Sequence, residues 1–167
     1  MAGEIISHAR LRELLSYDHL TGVFTWVVDR GMNKRSGKIA GAHNGNGYLN
    51  IQVDGRGYLA HRLAWFYVHE SWPPELIDHR DGDGFNNKIK NLRLANRRQN
   101  GENQRQAHKG KKSSKFIGVY RRNPNQRWCA MIRVGGMLRR IGLFDTEEGA
   151  HAAYIEAKRR QHEFNTI

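Results

Sequence analysis

The stretch Glu75 to Asn103, ELIDHRDGDGFNNKIKNLRLANRRQNGEN, decides how the chain is read. Leu76 and Ile77 lead straight into an acid–base pair, Asp78 and His79. A polar loop follows from Arg80 to Asn87, in which Gly82 and Gly84 permit tight backbone and Asp81 and Asp83 close Asx-turns. Leu92 and Leu94 alternate with Asn91 and Arg93, the pattern of a short half-buried strand. Asn96 stands at a helix N-cap, and Arg97 to Gln106 is helix-compatible apart from Gly101. Strand, loop, strand and helix in so few residues make no core of their own. They do make a frame able to hold a metal.

Those residue types fit phosphodiester hydrolysis, which needs a base for water, a hard cation for phosphate charge, and groups that hold both in line. His79 suits the base, because an imidazole takes a proton near neutrality. Asp78 is an oxygen ligand for Mg²⁺, Asn100 on the helix is a possible second, and Asn91 could fix the loop and orient the imidazole. So few protein oxygens suit Mg²⁺ better than Zn²⁺. Each residue also has a plainer reading, as solvated surface or a turn-former. The run Asp81-Gly82-Asp83-Gly84 lacks the alternation and terminal Glu of a calcium loop and is read as turn.

The same residues resemble the HNH (ββα-metal) nucleases, especially homing-type endonucleases of phages and introns. IDH at 77–79, DGDGFNN, NLRLA with Asn91 and RRQNGENQ with Asn100 carry the resemblance. It implies Asp78 as metal ligand, His79 as general base, Asn91 as the residue orienting it, Asn100 as second ligand, and Mg²⁺ or Mn²⁺ as the cofactor.

The 167 residues carry a net charge of +12, which favours a polyanionic partner. A mean hydropathy of -0.77 describes a polar chain with a limited core. No apolar run reaches the length of a membrane span, and the first residues lack a secretory apolar segment. One cysteine, Cys129, excludes an internal disulfide and points to a reducing cytoplasm. With the resemblance, that means the cytoplasm of a bacterial host carrying a phage or mobile element.

An α+β chain with four segments is expected. Residues 1–60 form a mixed lobe. In it Leu11, Leu14 and Leu15 share one face of a helix ending near Tyr17, Val23 to Val28 is a strand, and Asp54-Gly55 turns a hairpin. Residues 61–106 are the nuclease core, opening with a helix over His61 to Glu70 that stops before Pro73. His61 and His69 are read as structural, or at most as phosphate contacts, rather than as metal ligands. Residues 107–115 are a basic linker whose Lys111 and Lys112 could follow a DNA backbone.

Residues 116–167 are a second module of three strands and a helix. Phe116 to Arg122 is its first strand. Arg127 to Val134 alternates, with Trp128, Ala130, Ile132 and Val134 on one face. Gly135-Gly136 turns into Met137 to Phe144, and Ala150, Ala153, Tyr154 and Ala157 stripe the helix. FIGVYRR, RWCAMIRVGG and RRIGLFDTEEGAHAAYIEAKR resemble the plant APETALA2 DNA-binding domain. That resemblance implies that Tyr120, Arg122, Met131, Arg133 and Arg140 face DNA. Tyr120, Met131 and Arg140 depart from the plant pattern, so its target sequence does not carry over.

The expected partner is double-stranded DNA, with neither a membrane nor a small-molecule substrate; one nuclease unit per chain should nick one strand. The choice between monomer and dimer stays open. The alternatives are a DNA-binding regulator with an inactive nuclease unit, or an RNA-binding or RNA-cutting protein.

Overall fold

The computed structural model describes residues 6–29, 34–104, 113–162 and 165. It is an α+β chain that divides into two compact units, Met1–Ala95 and Asn96–Ile167.

In the first unit, Ser7 caps helix α1 (His8–Leu14) by accepting from the Arg10 amide. Leu11 and Leu14 fill its buried face. Leu15, expected in the helix, instead begins strand β1 (Leu15–Asp18), where Leu15 and Tyr17 point inward and Ser16 and Asp18 outward. The period changes from helical to alternating at that residue, and the strand then pairs antiparallel with β2 (Val23–Trp26).

Strands β3 (Ala42–His43), β4 (Leu49–Val53) and β5 (Arg56–Leu59) form an antiparallel sheet in that order. Asp54 and Gly55 turn the β4–β5 hairpin with positive φ, as the dipeptide predicts. Helix α2 (Ala60–His69) comes next and ends in a left-handed Glu70 before the prolines. Strand β6 (Leu76–His79) pairs antiparallel with β7 (Leu92–Ala95), and a 3-10 turn, Ile89–Asn91, leads into β7.

One apolar cluster runs from Ile6 through Leu11, Phe24, Ile51 and Leu63 to Ile77 and Leu92. The N-terminal lobe and the stretch after His61 therefore share a core, and burying a leucine such as Leu63 completely contributes about 2–3 kcal/mol.

The second unit begins with α3 (Arg97–Glu102), closed by a capping box in which the Asn96 side chain accepts from the Gln99 amide and the Gln99 side chain from the Asn96 amide. Gln106 and the basic residues Lys111 and Lys112 lie outside the described residues. Strands β8 (Val119–Tyr120), β9 (Trp128–Val134) and β10 (Met137–Phe144) form an antiparallel sheet with β9 central. β8 is shorter than the expected Phe116 to Arg122. Gly118 breaks it at φ 73°, and a Cβ there would lie 2.0 Å from the Tyr154 ring. Helix α4 (Glu147–Gln161), capped by Thr146, covers one face through Ala150 and Tyr154. These pack with Val119, Ala130 and Ile132 into a second apolar cluster. Among the described residues no helix is long and apolar enough to cross a membrane.

The β1–β2 turn presses on the loop before β7. Gly22 sits at φ 77°, and a Cβ on it would lie 2.4 Å from the Lys88 backbone nitrogen. Gly22→Ala should destabilise the first unit by more than about 2 kcal/mol, combining left-handed strain with a backbone clash. Gly45→Ala, at φ 78° with open space around it, should show the strain alone. Urea unfolding of the two variants beside the parent separates the contributions.

Candidate active site

His79 ends β6 with only 5% of its surface exposed, and Asp78 beside it is equally buried. Successive strand residues point to opposite faces, so the two side chains occupy different environments. On its side, Asp78 stands directly opposite Arg93 in the β6–β7 register, and its Oδ2 accepts from Arg93 Nε at 2.8 Å. Both members of this ion pair are largely shielded, so removing Arg93 would leave a buried carboxylate without that partner.

On the other side, His79 Nε2 lies 3.3 Å from Asn87 Oδ1. The Asn87 amide nitrogen donates to the Phe85 carbonyl, which fixes which end of the carboxamide meets the ring. An oxygen facing Nε2 makes that nitrogen the donor, so the proton sits on Nε2 and the lone pair on Nδ1. Asn87 is 1% exposed, and its backbone carbonyl accepts from the Tyr17 hydroxyl at 2.7 Å. Burial pushes the Tyr17 phenol up to about 12, which keeps that hydroxyl a donor. A strand of the N-terminal lobe thus supports the residue that orients His79.

Asn91 fixes the loop, as expected, but does not reach the imidazole. Its Nδ2 donates to Asp81 Oδ1 at 2.9 Å and to the Asn86 carbonyl at 2.8 Å, while its Oδ1 accepts from the Asp81 amide. The 3-10 turn aims the Asn91 side chain into the loop, and Asn87 takes the ring. Asp81 and Asp83 act as turn-formers, accepting from the Asp83 and Phe85 amides respectively. Asn100 lies exposed on α3, in the second unit.

Two aromatic neighbours complete the surroundings of His79. The His61 ring meets it edge-on at 5.1 Å, and Tyr48 lies 5.9 Å away. Burial holds the His79 imidazole below its ordinary value, opposed in part by the bond to Asn87. Burial and the neighbouring His79 push His61 down to about 3, and its Nδ1 is buried without a hydrogen-bond partner. The place of His61 beside the candidate base was not visible in the sequence. Asn87, Arg93, Tyr17 and Tyr48 were missed as well. Only Arg93 left a signal, since antiparallel pairing of the two short strands puts it opposite Asp78.

In the second unit, Cys129, Met131 and Arg133 alternate onto the face of β9 away from α4. Tyr120 pairs with Cys129, and Arg140 with Met131, so Tyr120, Met131, Arg133 and Arg140 share this outer face. Arg122 and Arg140 border a recess of about 380 Å³ that Tyr120, Cys129 and Leu143 also line. A bond to the Cys129 thiol pushes the Tyr120 phenol up. Arg127 is paired with Asp145 at 2.8 Å, and Arg121 stacks over Trp128.

The neutral, buried His61 sets a pH dependence. Below pH 6.5 the unfolded chain binds a proton there that the folded chain refuses until about pH 3, so stability should fall as pH drops through that window. His61→Phe should reduce the loss between pH 7 and pH 5 by up to about 2 kcal/mol. Urea titrations followed by the fluorescence of Trp26, Trp65 and Trp72 would measure it; an unchanged slope would remove His61 as the source.

Residues 58–102 match a family model described as HNH endonuclease. The match runs from β5 to the end of α3 and covers less than half of the chain. No curated protein matches the chain, and no solved structure does. An HNH endonuclease domain at these residues supports a nuclease, a hydrolase acting on nucleic acid.

Proposed function

We propose that this chain is a metal-dependent DNA endonuclease of the HNH (ββα-metal) type, whose catalytic histidine stands on the β6–β7 ribbon, and that its C-terminal module, of APETALA2 type, holds duplex DNA. The observation that carries the reading is the contact between His79 Nε2 and Asn87 Oδ1, within the stretch that matches the HNH model. It leaves Nδ1 as the basic nitrogen of a buried, neutral imidazole, the form a general base needs before it can act. His79 Nδ1 would take the proton of the attacking water, and Asn87 would hold the ring so that the lone pair stays aimed.

Asp78 would be a ligand of Mg²⁺ or Mn²⁺, and the sequence resemblance that implies this role for it implies the same for Asn100. Each of the two residues offers oxygen, the donor that a hard cation prefers. Bound there, the ion would stabilise charge on the scissile phosphate and the leaving oxygen. Arg93 fixes one oxygen of Asp78 and so orients the carboxylate. One such unit per chain implies a nick in one strand.

Tyr120, Met131, Arg133 and Arg140 on the outer sheet face, with Arg122 at its edge, would meet the DNA. Lys111 and Lys112 would add sequence-neutral attraction to phosphates.

With Mg²⁺, the protein should relax supercoiled plasmid to open circles, and EDTA should stop it. His79→Ala should lower the rate at least 100-fold. Asn87→Ala, which keeps the base but frees the ring, should lower it about tenfold. Cleavage by His79→Ala at the parent rate would overturn the assignment of the base.

A further inference from the structure

We propose that the outer face of the β8–β10 sheet recognises the C5-methyl groups of thymine in the major groove, with Leu143 and Leu138 as the contacting residues. The proposal rests on the reading that this module binds duplex DNA.

The alternation of β10 would turn Leu138 and Arg140 outward and Leu143 inward. A bulge changes this for Leu143. Arg140 pairs with Met131, but Gly142 pairs with Ala130 and Leu143 with Cys129, so one extra residue stands between them. The bulge reverses the parity of the strand and brings Leu143 onto the outer face, beside Cys129 and Tyr120. Leu143 is 47% exposed there and Leu138, opposite Arg133, is 55% exposed. Two leucines stand in solvent on a face that also carries Arg133 and Arg140.

The recess explains what such a surface suits. Cys129, Leu143 and the Tyr120 ring give it an apolar part, and Gln126 with Arg121, Arg122, Arg127 and Arg140 gives it a polar, cationic part. The arginines can take phosphates or guanine edges. The apolar residues need an apolar partner, and in the major groove the thymine methyl is the one that the bases present. Charge complementarity supports the same occupant, since the chain carries +12. The chemistry also separates nucleic acids: uracil lacks the methyl, so RNA would offer these leucines nothing.

The test uses the full chain in EDTA, so that DNA is bound and not cut. Duplexes are selected from a random pool, and the affinity of the best one is compared with that of the same duplex carrying deoxyuridine for every thymine in the footprint. Thymine should be enriched in the selected site, and the deoxyuridine form should bind about tenfold more weakly. Leu143→Ser and Leu138→Ser, at exposed positions, should weaken binding to the thymine duplex and leave the deoxyuridine duplex unaffected. Equal binding of the two duplexes, or a selected site without thymine enrichment, would overturn the methyl contact while leaving DNA binding intact. No binding to any duplex would overturn the DNA reading of the module and this inference with it.

Discussion

Asn87 is the residue on which the first unit depends. Its backbone carbonyl accepts from Tyr17 and its side-chain oxygen faces His79, so it joins the N-terminal lobe to the end of β6. At 1% exposure neither group can substitute water for the partner it would lose. The position is set by packing on both sides, with the β1–β2 turn pressed so closely on Asn87 and Lys88 that only a glycine fits at residue 22. The tautomer of one histidine is thus fixed with the help of a strand far earlier in the chain.

The lobe before His61 and the β6–β7 ribbon are for this reason one folding unit. Ile6, Leu11 and Phe24 lie in the same apolar cluster as Leu63, Ile77 and Leu92. The β6–β7 ribbon has four residues in each strand, too few to be stable alone. Its buried Asp78 and His79 need an environment that the lobe provides. The second unit has its own apolar cluster, built from alanines on α4 and the inner face of a three-stranded sheet.

The sequence made the local elements legible where one period dominates, as in β9 and α4, and where a cap or turn residue has a single use, as at Asn96 and Asp54-Gly55. It was less informative at changes of period. Leu15 continues a helical stripe on paper but starts a strand, because Tyr17 is the next residue drawn inward. In the site, Asp78 and His79 were legible as a pair and the loop as a turn. Which asparagine meets the imidazole was not, since Asn86, Asn87 and Asn91 are chemically alike and differ only in where the folded loop aims them. The contacts of His79 with Tyr48 and His61 are long-range and leave no pattern in a single sequence.

The loop between β6 and β7 is exposed over much of its length, and exposed loops ordinarily tolerate insertion and deletion. This one should not. A shift of β7 by one residue would set Leu92 or Leu94 against Asp78 in place of Arg93, leaving a buried carboxylate facing a hydrocarbon. The same shift would pull Asn91 off Asp81. Across related chains the spacing between Asp78 and Arg93 should therefore be held constant in length even where the letters between them drift, so that this surface segment diverges by substitution alone.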